Sequence, residues 1–319
     1  MLAAVYRSTG GPEVLTVEDV PTPEPGPGEV RVRLRVAGVN PTDWKRRSTA
    51  EPQDFQVPGQ DGAGEVDAVG EGVDPARVGE RVWVWFAAAP GRRWGTAAQW
   101  TVVPSRQAVR LPDETSYDMG AGLGIPAMTA WHCLFADGSL DGRTVLVAGG
   151  AGAVGNAAVS LARRDGATVV ATASTPDKAS LATSAGAHAV VDYRAVDAAE
   201  RVRAAAPDGV ARIVEVALGA NLALDLAVLA PRGVVSTYAD DELCTSTRPL
   251  MVANVSLHFV LVYGLTDAAL DAAVTGVGAA LADGSLRALP TTRFALADVA
   301  AAHAAVEAGT PGKVLIDLP

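Results

Sequence analysis

Between Glu29 and Val36 the chain alternates aliphatic and charged side chains, with Val30, Val32, Leu34 and Val36 set against Arg31, Arg33 and Arg35. A period of two marks a strand with one buried and one solvated face. Further short strands are predicted at 63–69, 80–86 and 98–103, each bounded by glycine or proline. The proline-rich run at 21–28 admits neither helix nor regular sheet. Residues 1 to 112 thus read as a β domain with turns.

From 118 to 265 the texture changes to aliphatic strands alternating with alanine-rich helices. Strands are predicted at 144–148, 167–173, 189–192, 213–217 and 233–237, and helices at 154–165 and 176–185, the second closed by Gly186. Strands recurring with intervening helices specify a parallel, doubly wound sheet. The tail offers a helix at 267–283, a strand at 291–294, a helix at 297–308 and a strand at 314–318. Nothing there resembles a third core. The expected organisation is one domain over 1–118, completed by 266–319, and a second over 119–265.

Apolar residues make up 49% of the 319 and charged residues 19%, enough for a sizeable core and too apolar for disorder. The net charge of −10 repels phosphate backbones and anionic lipid, so nucleic acid and membrane are not expected partners. Two cysteines cannot build a disulfide framework or a thiolate zinc cluster, and they suit a reducing compartment. The N-terminus lacks the pattern of a signal peptide. The uncharged stretch at 144–162 is broken by glycines, and the one at 249–266 has Asn254, Ser256 and His258 near its middle. A cytoplasmic protein is expected.

The most informative segment runs from Val145 to Gly155. Gly150, Gly152 and Gly155 satisfy G-x-G-x-x-G, leaving a predicted strand and opening a predicted helix. One glycine turns the chain, one lets backbone approach a pyrophosphate, and one packs helix on sheet. The helix start adds free N–H groups and partial positive charge. NAD-binding versions place an acid at the end of the second strand. Here Ser174 and Thr175 stand there, followed by Lys178, while Tyr193 and Arg194 follow the third strand. Hydroxyls and cations suit a 2′-phosphate, so NADPH is the expected cofactor.

Gly38-Val39-Asn40-Pro41-Thr42-Asp43, Pro58-Gly59-Gln60-Asp61-Gly62-Ala63-Gly64, Gly124-Ile125-Pro126-Ala127-Met128-Thr129-Ala130 and Gly312-Lys313-Val314-Leu315 occur in that order along the chain. Together with the glycine loop they resemble the zinc-independent quinone oxidoreductase and alkenal/enone reductase branch of the medium-chain dehydrogenase/reductase superfamily. The resemblance implies an α/β chain with a GroES-like β-barrel catalytic domain and a Rossmann doubly wound parallel sheet. It implies that Thr129 lies beside the nicotinamide, with Tyr238 and Val262 near its face. Ala153 and Val154 match the pyrophosphate loop, and Ser174, Lys178 and Tyr193 the 2′-phosphate site. Asn40, Lys45 and Asp61 complete the candidate catalytic set; some quinone reductases of the branch carry tyrosine where Lys45 stands.

Zinc-dependent relatives have cysteine in place of Asn40 and a His-Glu pair in place of Gln60-Asp61, and no four-cysteine lobe occurs between Val82 and Trp100. No metal is expected. His132-Cys133 lies in an apolar helix-like run and reads as core packing. The implied activity is hydride transfer from NADPH to quinones or α,β-unsaturated carbonyls. A homodimer is implied, with the β-rich stretch 256–263 suited to pairing across a two-fold. Reduction of 2-enoyl thioesters is one alternative, for which Arg46-Arg47 or Arg92-Arg93 would supply a basic patch. A non-catalytic NADP-binding structural or regulatory protein is another.

Overall fold

The computed structural model describes residues 1–319. The chain divides into one unit of Met1–Ile125 with Pro290–Pro319 and a second of Pro126–Leu289. In the first, β1 (Leu2–Val5) pairs antiparallel with β2 (Thr16–Asp19). The alternating segment forms the long strand β3 (Glu29–Val39). Val30, Val32 and Leu34 enter the core, while Arg31 pairs with Asp67 and Arg35 with Glu65 on the solvated face. Helix α1 (Pro41–Thr49) follows directly, with Asn40 as its N-cap and proline in the first turn, where a missing N–H costs nothing. Then come β4 (Asp61–Val69), β5 (Arg81–Val84), β6 (Trp100–Pro104), β7 (Ala108–Arg110) and α2 (Tyr117–Ala121). β3 pairs antiparallel with both β4 and β6, β4 with β5, and β5 with β7.

Helix α3 (Gly124–Phe135) leads into the second unit. There β8 (Thr144–Val147), α4 (Ala153–Arg164), β9 (Thr168–Thr172), α5 (Pro176–Ser184), β10 (Ala189–Val191), α6 (Ala198–Ala205), β11 (Val210–Glu215), α7 (Leu218–Val228), β12 (Leu229–Thr237), α8 (Thr247–Ala253) and β13 (Ser256–Phe259) alternate. The sheet order is β10-β9-β8-β11-β12-β13, every pairing parallel. Each strand must cross over through a helix before the next can run parallel, which is why the texture of the sequence changes here.

Helix α9 (Asp267–Ala282) also belongs to this unit. Leu270, Ala273 and Val277 are buried, Gly276 lies directly under the Trp131 ring, and Arg164 pairs with Asp283 just beyond the helix. The second unit therefore runs to Leu289, where the sequence reading ended it at 265. The chain returns to the first unit with β14 (Thr291–Ala295), α10 (Val299–Glu307) and β15 (Lys313–Asp317). β15 lies between β14 and β3, antiparallel to β3.

Candidate functional site

β8 ends against its neighbours: the Ala148 amide donates to the Val214 carbonyl at 2.9 Å and the Gly150 amide to the Thr172 carbonyl at 3.0 Å. Gly149 has φ +67°, a left-handed conformation that glycine adopts without strain. A Cβ on Gly150 would lie 2.8 Å from the Ala171 Cβ, and one on Gly155 would lie 2.3 Å from the Gly149 carbonyl oxygen. These two glycines are packing requirements. A Cβ on Gly152 would meet only one atom, at 3.5 Å, so this glycine opens onto free space. Gly152 is the N-cap of α4 and brings no side-chain cap. The first-turn amides at Ala153 and Val154 thus lie behind an open, side-chain-free approach, a cradle shaped for an anion.

Ser174, Thr175 and Lys178 follow β9 in the chain, and Tyr193 and Arg194 follow β10. Thr175 caps α5 by accepting from the Lys178 amide at 3.3 Å. The Arg194 guanidinium pairs with Asp192 at 3.0 Å and donates to the Ser174 carbonyl. Arg194 holds the Asp192 carboxyl below its usual range, keeping that acid engaged rather than free for a ribose. Tyr193 is exposed beside it. Thr129 is buried on α3, Tyr238 follows β12, and Val262 is buried in a short turn after β13. Cys133 is buried with its thiol pushed up to about 12, and its carbonyl accepts from Arg212. Cys133 is core packing, and His132 beside it is half-buried.

In the first unit the Asn40 amide nitrogen Nδ2 donates to Asp61 Oδ2 at 2.7 Å, while Asn40 Oδ1 accepts from Lys313 Nζ at 2.7 Å. Asp61 also accepts from the Ile125 amide, at 2.9 and 3.0 Å to its two oxygens. The carboxylate of Asp43 accepts from the Asn40 backbone at 2.7 Å, tying the cap to the first turn of α1. All four side chains are buried. Desolvation pushes Asp43 up to about 7 and Asp61 up to about 6, with Lys313 opposing both shifts. Burial lowers Lys313, with Asp61 and then Asp43 opposing. Asn40 and Asp61 are consumed within this network, the arrangement of positioning groups. Lys45 is exposed, its ammonium 6.0 Å from the centre of its neighbour Trp44's ring. Gln60 is turned inward, donating to the Ala88 carbonyl at 2.9 Å. No three His, Cys, Asp or Glu side chains are grouped to hold a metal ion.

Residues 26–113 match the family described as alcohol dehydrogenase GroES-like domain, and residues 153–275 that described as zinc-binding dehydrogenase. A quinone oxidoreductase of Mus musculus is 33% identical over 235 residues, 71% of this chain and 69% of that protein. The quinone oxidoreductase of Homo sapiens is 28% identical over 316 residues, 96% of this chain and 94% of that one. The chain belongs to the medium-chain dehydrogenase/reductase superfamily. A similar solved structure is mycobacterial Rv1454c complexed with NADPH, at 30% identity and a TM-score of 0.85 over 99% of each chain. As a medium-chain dehydrogenase/reductase the protein is an oxidoreductase with a GroES-like domain and a Rossmann-like parallel sheet. No helix is long and apolar enough to cross a membrane.

Sequence reasoning missed two buried groups: Lys313 as the donor behind Asn40, and the carboxyl pair Glu215 and Asp225. Each leaves a signal, a lone charge inside or at the start of an aliphatic strand, Lys313 before Val314-Leu315-Ile316 and Glu215 after Ile213-Val214. Such a charge is affordable only with a partner that tertiary structure supplies.

Proposed function

We propose that the protein is an NADPH-dependent reductase of quinones or α,β-unsaturated carbonyls that needs no metal and works as a homodimer. One observation carries the cofactor: the uncapped start of α4 faces an open glycine, while the end of β9 offers hydroxyls and Lys178 with no free acid. The Ala153 and Val154 amides would hold the pyrophosphate. Ser174, Thr175, Lys178, Tyr193 and Arg194 would hold the 2′-phosphate, with Thr129, Tyr238 and Val262 assigned to the nicotinamide. Bound NADPH supplies hydride for an electron-poor carbon of the substrate.

Conjugation already activates such a substrate, so well-placed hydrogen-bond donors suffice for the charge that develops on its oxygen. Lys45, exposed on α1, is the candidate donor. Asn40 and Asp61 are positioning groups: Asn40 links Asp61 to Lys313, and Asp61 holds the Ile125 amide at the start of α3. The names of the quinone oxidoreductase relatives support the substrate class. The metal-free reading is supported by Asn40 and Gln60, neither of which offers a thiolate or imidazole.

Fluorescence titration tests the cofactor. NADPH should bind tighter than NADH. Lys178→Ala should weaken NADPH by about 1.5–3 kcal/mol, roughly tenfold to a hundredfold, and leave NADH little changed. Equal affinity for the two cofactors in the unmutated protein sinks the reading. Turnover with a panel of quinones, enals and enoyl thioesters then sorts the substrate class.

A further inference from the structure

β11 carries an acid at its carboxyl end, Glu215, which is fully buried. Its Oε1 accepts from the Val216 amide at 2.7 Å, the Ala217 amide at 2.5 Å and Asn221 Nδ2 at 2.9 Å. Burial raises Glu215, and three donors on one oxygen oppose that rise in favour of the carboxylate. The other oxygen, Oε2, has no donor among the protein's N–H and O–H groups, and neither has Oδ2 of Asp225, buried on α7. The two carboxyl groups lie within hydrogen-bonding reach of each other. Two buried acceptors in contact are satisfied only when a proton lies between them.

The turn that Glu215 holds has a definite address. β11 lies parallel to β8, and the sheet order reverses its direction of growth between them. Ligands of such sheets bind in the crevice outside the strand ends at this switch point. Val216 is half-exposed, and its Cγ1 lies 3.3 Å from where a Cβ on Gly149 would stand, so the turn abuts the glycine loop.

We infer that Glu215 and Asp225 share a single proton and that this pair positions the 216–217 turn as one wall of the cofactor crevice. Glu215 holds the turn as carboxylate, and Asp225 is the neutral acid that donates to it. Both are positioning residues. The inference rests on the NADPH reading for the identity of the ligand. Burial, reinforced by the charge of Glu215, pushes Asp225 up to about 9. Other groups facing the pair are Thr237 at the end of β12, Tyr238 just after it and Asn221 from α7; burial raises the Tyr238 hydroxyl, with Cys133 and Glu215 adding to it. Asp241 caps the start of α7 at the Gly219 amide, and Arg212 of β11 is committed to Cys133, Ser236 and Asp137. Loss of the shared proton leaves two buried anions in contact and loosens the turn.

NADPH affinity measured from pH 6 to 10 in wild type, Asp225→Asn and Asp225→Leu tests this. Wild-type Kd should hold steady to pH 8 and rise about tenfold by pH 10, one unit above the titration. Asparagine keeps the neutral donor, so Asp225→Asn should match wild type at pH 7 and lack that rise. Asp225→Leu should bind weakly throughout. An alkaline rise of the same size in Asp225→Asn, or weak binding by that variant at pH 7, overturns the inference. Melting curves give a readout without cofactor. A carboxyl raised on folding stabilises below its unfolded pKa and loses that stabilisation as pH climbs to its folded value. The Tm of wild type minus that of Asp225→Asn should fall between about pH 4 and 9, and a flat difference refutes the shared proton. Wild type that binds neither NADPH nor NADH would overturn the cofactor reading and the turn's role with it, while the melts still decide the proton.

Discussion

Lys313 opens an aliphatic strand yet is buried, its ammonium on Asn40 Oδ1 at 2.7 Å and 3.9 Å from Asp61. Removing one member of a buried charged set leaves the others desolvated and uncompensated, typically at about 3–5 kcal/mol. Lys313→Met should therefore destabilise the protein by about that much, and pairing it with Asp61→Asn should recover part of the loss, as chemical denaturation will measure. The sign with pH follows from Asp43 and Asp61, raised by burial to about 7 and about 6. Stabilisation tied to their protonation is present in acid and is lost as pH rises through those values. With the lysine gone, that decline should steepen and acid should recover much of the loss, whereas a loss of the same size at every pH would argue that Lys313 contributes no charge.

At the scale of elements, α4 and its loop follow from local chemistry, whereas α1 does not. Arg47 on the buried face of α1 donates to the Gly10 carbonyl, faces His303 Nδ1 at 3.1 Å and pairs with Glu307 at 2.5 Å, both on α10. Burial, with Arg47 beside it, pushes His303 down to about 3, so it stays neutral. The Arg46-Arg47 pair is thus no basic patch: one member is a clasp between helices drawn from opposite ends of the chain, and the other reaches the Ala88 carbonyl. The loop is tested by Gly155→Ala. Its new methyl would stand 2.3 Å from the Gly149 carbonyl oxygen, and backbone must shift to admit it. Overpacking of this kind costs about 1–3 kcal/mol, so NADPH binding should fall about tenfold or more while far-UV circular dichroism stays unchanged. Undiminished binding would mean that the loop is not the cradle.

For the molecule as a whole, the outer edge of β13 has no neighbouring strand in the six-stranded sheet. Phe259 and Leu261 are each 69% exposed there, and Met251 and Val252 of α8 are exposed nearby. An open edge flanked by large apolar side chains is a liability that a second copy relieves by pairing its own edge across a two-fold. The proposed homodimer predicts twice the chain mass in size-exclusion chromatography with light scattering. Phe259→Lys should shift it to the monomer, and an unmutated protein that runs as a monomer at micromolar concentration refutes it.

Period-two alternation placed β3, recurring strands and helices specified the parallel sheet, and Gly150, Gly152 and Gly155 located the phosphate loop, because each depends on residues close in sequence. The absence of an acid after β9 was legible for the same reason. Tertiary structure alone decided the rest. Asn40 and Asp61 are buried because Lys313, hundreds of residues away on β15, supplies the compensating donor. Glu215 and Asp225 become one acid–base pair only where α7 folds back over β11. Even the end of the second unit waited on Gly276 meeting Trp131, a contact between residues far apart in the chain. A buried charge and a helix without a distinctive period have no local signature of their partners, since their stability is set by groups that meet only in the folded chain.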